Sequence, residues 1–252
     1  MAQAPRAFNR GLHSNRDQVF YGTDDGSQDG SFGEFPDFIK HYESVDQSRK
    51  DDIHMISVVG GLYGLNMIPL WKPKKLTIFD INPMGVTYFT VIHRVWTTSN
   101  DAQHFLQRLE DMDYEVVTED EKFVQENISL KSKGTLPRSR GSSKRSFYES
   151  WKYALDNFEV TKSILLGPLE IRTEPMESDS FSDMIKNQNN SWIYASNITQ
   201  FHFFDLDFED PSNCVMLQII HPEKPQLLDI SEYAGKRVRV KFAIPITVEE
   251  LG

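Results

Sequence analysis

Three glycines and one aspartate in the segment HMISVVGGLYGLNMIPLWKPKKLTIFDINP (54–83) have a spacing that suits a nucleoside-binding turn. Gly60, Gly61 and Gly64 follow the apolar run MISVV, and glycine lets the chain turn sharply and lets a ligand approach the backbone closely. Asp80 lies twenty positions after Gly60, at the end of the next apolar run. A carboxylate there can accept hydrogen bonds from both ribose hydroxyls. The competing role for Asp80 is helix capping, because DINP is also typical of a helix start.

The turn lacks the features that two phosphate-containing cofactors require. The dinucleotide pattern G-x-G-x-x-G is broken because Val59 occupies its first glycine position, and no Gly-Lys-Ser/Thr follows as in a phosphate-binding loop. The helical turn predicted over LNMIPLWK is short and interrupted near Pro69, which makes it a poor site for pyrophosphate. A cofactor without phosphates, but with an adenosine and an amino-acid tail, fits better.

The motifs VVGGLYGLN and TIFDINP resemble the first two motifs of class I S-adenosylmethionine (SAM) dependent methyltransferases, and the resemblance covers most of residues 54–245. In that family the glycine turn faces the methionine part of SAM, and the acid that ends the second strand binds the ribose. The resemblance therefore implies SAM as the cofactor. The cofactor-binding residues that it implies are Gly60, Gly61, Gly64 and Asn66 in the turn, Asp80, Ile81 and Asn82 after the second strand, Glu177 and Ser178 after the third, and Ser196 at the end of the fourth.

Three further residues are candidates for the chemistry itself. The resemblance places Asn197, in YASNI, near the sulfonium and the substrate. His202 lies in FHFFD after the same strand, where a base could reach a substrate. Tyr21 belongs to an N-terminal arm that could anchor on the domain or close over the site. The resemblance also implies that a residue of TEPMESDSF after the third strand, namely Met176, Glu177 or Asp179, reads the adenine.

The sequence departs from the methyltransferase pattern in three places. Ser57 and Val58 stand where an acid usually precedes the first glycine, about 85 residues separate the second and third strands, and YASNI is not the Asn/Asp-Pro-Pro-aromatic signature. The spacing GG-x-x-x-x-N with D-x-N-P is also similar to aminocarboxypropyl transferases of the betaine-lipid type, which move the other arm of the sulfonium.

We therefore predict a SAM-dependent transferase that acts on a small molecule, most simply by methyl transfer. The alternative within the same cofactor class is 3-amino-3-carboxypropyl transfer, or an intramolecular breakdown or cyclisation of SAM. A different class also stays open, namely a catalytically silent nucleoside-binding domain with a regulatory role.

The elements that must position these residues alternate between strands and helices, which predicts an α/β fold. We expect a Rossmann-like, mostly parallel sheet with helices on both faces, a helical insertion at about 97–146 between strands 2 and 3, and a terminal antiparallel hairpin of LLDIS with KRVRVKFAIPI. Residues 1–53 are predicted to form an arm and a helix that could act as a lid, and 54–252 the SAM-binding domain. In such sheets ligands bind beyond the carboxyl ends of the strands, where the strand order reverses.

Composition narrows the class of protein further. The net charge of -10 disfavours a general nucleic-acid partner, and no apolar run reaches the roughly 20 residues of a membrane span. The single cysteine, Cys214, agrees with a reducing, cytoplasmic location. No metal site is predicted, because the seven histidines are scattered and the acids of DLDFEDP lack calcium-loop spacing. We expect DLDFEDP to be a solvated loop and KSKGTLPRSRGSSKR (131–145) a mobile one. The sequence leaves the oligomeric state open.

Overall fold

Nine strands and two sheets account for the β-structure of the residues that the computed structural model describes, which are 35–59, 62–132, 151–174, 179–186, 190–196, 204–220, 225–242 and 246–252. The strands are β1 (His54–Val58), β2 (Lys75–Asp80), β3 (Leu169–Thr173), β4 (Ser191–Ser196), β5 (Phe204–Phe208), β6 (Cys214–Ile220), β7 (Pro225–Leu228), β8 (Val238–Phe242) and β9 (Thr247–Glu250). The larger sheet has the order β3-β2-β1-β4-β6-β7, and every pairing in it is parallel except the last. The Rossmann-like architecture is therefore confirmed.

The α-helices of the described residues lie mainly before β3. They are α1 (Phe35–Ser44), α2 (Met67–Trp71), α3 (Pro83–Thr98), α4 (Ala102–Asp111), α5 (Glu119–Ser132), α6 (Lys152–Asp156), α7 (Phe158–Leu165) and α8 (Asp179–Lys186). Short 3-10 turns cover Gln47–Arg49, Tyr63–Asn66, Pro211–Asn213 and Ile230–Tyr233. The chain passes through Pro69 without a break because proline in the first turn of α2 removes no intrahelical hydrogen bond.

Alternating side chains of the central strand enter two separate apolar cores. Met55 on β1 belongs to a large core formed with α1 to α7, and Ile56 belongs to a smaller core formed with α8 and the second sheet. Helices therefore flank both faces of the larger sheet, as predicted. Both faces of β1 are buried, which explains its unbroken apolar sequence.

The helical insertion between β2 and β3 runs from α3 to α7. Arg94 on α3 forms two hydrogen bonds with the Glu121 carboxylate on α5, at 3.1 and 2.8 Å. Glu121 also accepts from the Val117 N–H at 2.7 Å, and Thr118 Oγ1 accepts from the Glu121 N–H at 3.1 Å. These bonds fix the start of α5 against α3. The basic segment predicted to be a mobile loop lies outside the described residues from 133 onwards.

The second sheet has the order β5-β8-β9 with antiparallel pairings, and it corrects two predictions. LLDIS does not pair with KRVRVKFAIPI; β7 pairs with β6, and the terminal hairpin forms between β8 and β9. DLDFEDP is not wholly a loop, because its first residues belong to β5. Leu206 and Phe208 are buried there, while Asp207 forms hydrogen bonds of 2.6 and 2.8 Å with Arg239 on β8.

Helix α1 is a fixed layer of the domain. Phe38 is buried, the Phe35 ring lies 4.6 Å from the ring of Tyr153, and the Tyr42 ring lies 5.7 Å from that of Trp192 on β4. The part of the predicted lid that begins at Phe35 therefore packs on the core, and residues 1–34 lie outside the described residues. Among the helices that are described, none combines the length and apolarity needed to cross a bilayer.

Candidate functional site

Apart from Tyr21, the predicted site residues follow four strands whose carboxyl ends meet at one edge of the larger sheet. The strand order turns at β1, which has β2 on one side and β4 on the other, so the switch point lies between β1 and β4. In open α/β sheets this crevice is the usual ligand site. The topology therefore brings the ends of β1, β2, β3 and β4 to one place.

The turn after β1 is tight and is closed by a backbone hydrogen bond to the residue that follows the strand. The Leu62 N–H donates to the Val59 carbonyl at 2.7 Å, and the Val59 N–H donates to the Phe79 carbonyl on β2 at 3.0 Å. Leu62 has φ 63° and ψ 19°, a left-handed conformation that costs a non-glycine residue roughly 1–2 kcal/mol. Burial of the Leu62 side chain offsets this strain. Gly60 and Gly61 lie outside the described residues.

Gly64 is needed for packing. A Cβ placed on it would come into steric conflict with Ser57 Oγ and would lie 3.0 Å from Cδ1 of Tyr194. Ser57 and Tyr194 are register partners on β1 and β4, so Gly64 lets the 3-10 turn sit directly on the two strands at the switch point. Gly64 therefore positions the turn on the sheet and is itself buried.

Asn66 is also engaged inside the protein. Its side chain is buried, its Nδ2 donates to the Tyr63 carbonyl at 3.2 Å, and its Oδ1 accepts from the Ala154 N–H at 3.1 Å. The amide therefore joins the glycine turn to the start of α6. Asn66 thus has a structural role, in which both the nitrogen and the oxygen of its side-chain amide form hydrogen bonds within the protein.

A small cavity lies beneath the turn. It has a volume of about 10 Å³ and is lined by Ser57, Leu62, Gly64 and apolar side chains of β1, β2, α2 and α3. This volume is at the lower limit for one water molecule, so the cavity is a packing defect and is too small for a cofactor.

Asp80 and Asn82, which follow one another closely at the end of β2, have different structural roles. Asn82 is the N-cap of α3, where its Oδ1 accepts from the Met84 N–H at 3.0 Å, and Pro83 occupies the first helical position. Asp80 Oδ1 accepts from the Asn82 N–H at 2.9 Å. Helix capping therefore belongs to Asn82, and the Asp80 carboxylate is held at the end of β2 by the backbone of the next turn. Ile81 is half-buried between them.

Gly85 is a site residue that the sequence reasoning missed. A Cβ on Gly85 would lie 2.9 Å from Asp80 Oδ2 and 3.0 Å from Asp80 Cγ. Glycine at the third helical position thus leaves room for the carboxylate against the first turn of α3. Its spacing in DINPMG was the available signal, since a glycine inside a helix requires a reason.

The end of β3 carries a group of charged residues beside Asp80. The Glu174 N–H donates to the Asp80 carbonyl at 3.0 Å. Arg172 contacts Glu174 Oε1 at 3.0 Å, Glu170 Oε1 at 2.7 Å and Ser180 Oγ on α8 at 3.0 Å. Although partial burial alone would lower the pKa of Arg172, its hydrogen bonds to Glu174 and Glu170 raise it. This guanidinium joins the end of β3 to the first turn of α8.

Several predicted site residues fall where nothing can be said of their side chains. Gly60, Gly61, Glu177, Ser178, Asn197, His202 and Tyr21 lie outside the described residues, and Ser196 is described only as the last residue of β4. Among the described residues, no group of three or more His, Cys, Asp or Glu side chains could hold a metal ion.

His54 lies at the opposite edge of the sheet, at the start of β1. Its Nε2 lies 2.8 Å from Thr77 Oγ1, and burial, followed by the nearby positive charge of Lys75, lowers the pKa of His54 to about 4. Its position at the amino ends of the strands separates it from the candidate site.

Comparison with known proteins does not assign the chain to a family. No protein-family model matches the chain, and no curated protein matches it.

Proposed function

We propose that the protein is a SAM-dependent transferase that acts on a small molecule. The observation that carries this proposal is the Asp80 carboxylate at the carboxyl end of β2, next to the glycine turn of β1, in a position where helix capping is already performed by Asn82. A carboxylate at this place suits a nucleoside, because its two oxygens are acceptors of the kind that vicinal ribose hydroxyls need.

In this proposal the residues of the chain mainly bind and orient. SAM, when bound, supplies a carbon that is already activated by the sulfonium, so alignment of donor and nucleophile contributes most of the rate. Asp80 would accept from the ribose hydroxyls, with Gly85 and Asn82 holding the carboxylate in place. The turn of Gly60 and Gly61 would let the methionine part approach the backbone. We further propose a cytoplasmic location, which the single cysteine supports.

Calorimetric titration of SAM into Asp80 variants tests the cofactor. Asp80→Ala should weaken binding by roughly ten- to a hundredfold, since hydrogen bonds to a charged group contribute about 1.5–3 kcal/mol and 1.4 kcal/mol is a factor of ten. Asp80→Asn keeps an acceptor for the Asn82 N–H but loses the second carboxylate oxygen, so its loss should be intermediate.

Asp101→Ala is the matched control for these variants. Asp101 is the N-cap of α4, where its Oδ1 accepts from the His104 N–H at 2.7 Å. Its removal should lower stability by about 1 kcal/mol and leave SAM affinity unchanged. Equal SAM affinity in the wild type and a folded Asp80→Ala variant would refute the nucleoside site, as would stabilisation by NAD alone.

Product analysis distinguishes the reactions. The protein would be incubated with SAM and a deproteinised extract of small molecules. S-adenosylhomocysteine indicates methyl transfer, and methylthioadenosine indicates aminocarboxypropyl transfer or breakdown of SAM. Binding without turnover would support the silent nucleoside-binding domain instead.

A further inference from the structure

Gly85 stands at a position where a glycine is locally unfavourable. It is the third residue of α3, a helix of 16 residues, and it is buried. Glycine is the poorest helix former after proline, and alanine would be preferred at a helical position with free space. The space is not free, because the three atoms that a Cβ would meet first all belong to Asp80, at 2.9, 3.0 and 3.5 Å.

We infer that Gly85 is a positioning residue for the nucleoside site, which it serves by leaving the slot in which the Asp80 carboxylate rests. The inference rests on the proposed function. With Gly85 in place, Asp80 Oδ1 reaches the Asn82 N–H at 2.9 Å while Oδ2 lies against the first turn of α3. A methyl group at position 85 would turn the carboxylate out of this orientation.

The conflict involves the end of a movable side chain, so Gly85→Ala should not disrupt the fold. The Asp80 side chain can rotate away, and the gain in helix propensity raises or preserves the urea midpoint. SAM affinity, in contrast, should fall at least about tenfold, because the carboxylate loses the orientation that meets the ribose. If Gly85 had a purely structural role, Gly85→Ala would not lower SAM affinity while the urea midpoint stayed unchanged.

A double-mutant cycle attributes the effect to Asp80. In the Asp80→Ala background, Gly85→Ala should cause no further loss of SAM affinity, because the group that it displaces is gone. Thr90→Ala is the control for helix propensity, since Thr90 lies in a later turn of α3, where its hydroxyl donates to the Val86 carbonyl at 2.9 Å. That variant should leave SAM affinity unchanged.

A readout without ligand separates this inference from the proposed function. The amide proton of Asn82 should follow the protonation of the Asp80 carboxylate in an NMR pH titration of the wild type, and should cease to follow it in Gly85→Ala. If the wild type bound no SAM but this NMR difference appeared, the proposed function would fail and the positioning by Gly85 would stand. Wild-type SAM affinity in Gly85→Ala, or equal losses from Gly85→Ala with and without Asp80, would overturn the inference.

Discussion

Lowering the pH from 7 to 4 should remove about 3 kcal/mol from the free energy of unfolding through His54 alone. His54 is only 3% exposed, and no hydrogen-bond partner of its Nδ1 is found among the described residues. Protonation would bury a charge on β1 beside Lys75, its register partner on β2. Burial and Lys75 lower the pKa of His54, Glu170 opposes them, and Arg172 adds to them.

The magnitude follows from the two pKa values. Between the ordinary value of 6.5 and the folded value of about 4, the unfolded chain binds a proton that the folded protein does not, so stability falls as the pH falls. The pKa difference of about 2.5 corresponds to about 3.4 kcal/mol when both states are protonated. Half-protonation of the folded state reduces this to about 3 kcal/mol at pH 4, and the same arithmetic gives about 2 kcal/mol at pH 5. Well above pH 6.5 both states carry a neutral imidazole, and this loss of stability vanishes.

Urea titrations of the wild type and His54→Gln at pH 7, 5 and 4 measure this loss. Glutamine cannot be protonated, and its amide can keep the contact with Thr77. The pKa of Glu121 is held below its usual range by hydrogen bonds from Arg94, so its contribution is lost only below about pH 4.5, and equally in both proteins. The difference between the two proteins therefore isolates His54.

NMR provides the second measurement. The ring protons of His54 should keep the shifts of neutral imidazole until the pH approaches 4. Parallel stability curves for wild type and His54→Gln, or a His54 titration near 6.5, would refute the reasoning.

The remaining predictions concern packing and are checked by urea unfolding of each variant. Glu121→Gln should lower the free energy of unfolding by about 2 kcal/mol, because it removes one charge of a largely buried ion pair, with the value reduced because Arg94 is partly exposed. Asn66→Ala should lower it by about 1–3 kcal/mol by leaving the backbone N–H at position 154 of α6 buried without a partner. Gly64→Ala should lower it by about 1–3 kcal/mol through overpacking, and Ser57→Gly in the same chain should restore part of the loss. If Gly64→Ala were as stable as the wild type, the overpacking against Ser57 and Tyr194 would be refuted.

The central strands β1, β2 and β4 of the larger sheet were predictable because most of their side chains are buried on both faces. Continuous apolar runs such as MISVV, KLTIF and SWIYA indicate such strands directly, and the cap and proline of DINP predict the start of α3. The side-chain partners were not predictable, because they depend on packing. Asn66 contacts a backbone group 88 positions away, and Gly85 contacts Asp80 only once α3 has formed.

In the second sheet, strand β5 was missed because its apolar and acidic residues alternate. In DLDFEDP the acidic residues suggested a loop, but Leu206 and Phe208 alternate with Asp205 and Asp207, which is the period of a strand with one buried face. The pairing of β8 also required knowledge of which strand would complement its basic residues. The pattern of apolar residues along one strand does not specify which strand lies beside it.

The charges of the second sheet also determine how it behaves towards another copy of the protein. Within the part of the chain that the structure describes, the outer strands are β5 and β9, and both carry acids: Asp205 and Asp207 on one, Glu249 and Glu250 on the other. The basic residues lie between them on β8. An incoming edge of the same kind would meet acid with acid, which discourages strand-to-strand aggregation. This electrostatic protection against self-association weakens when the carboxylates are protonated or screened by salt.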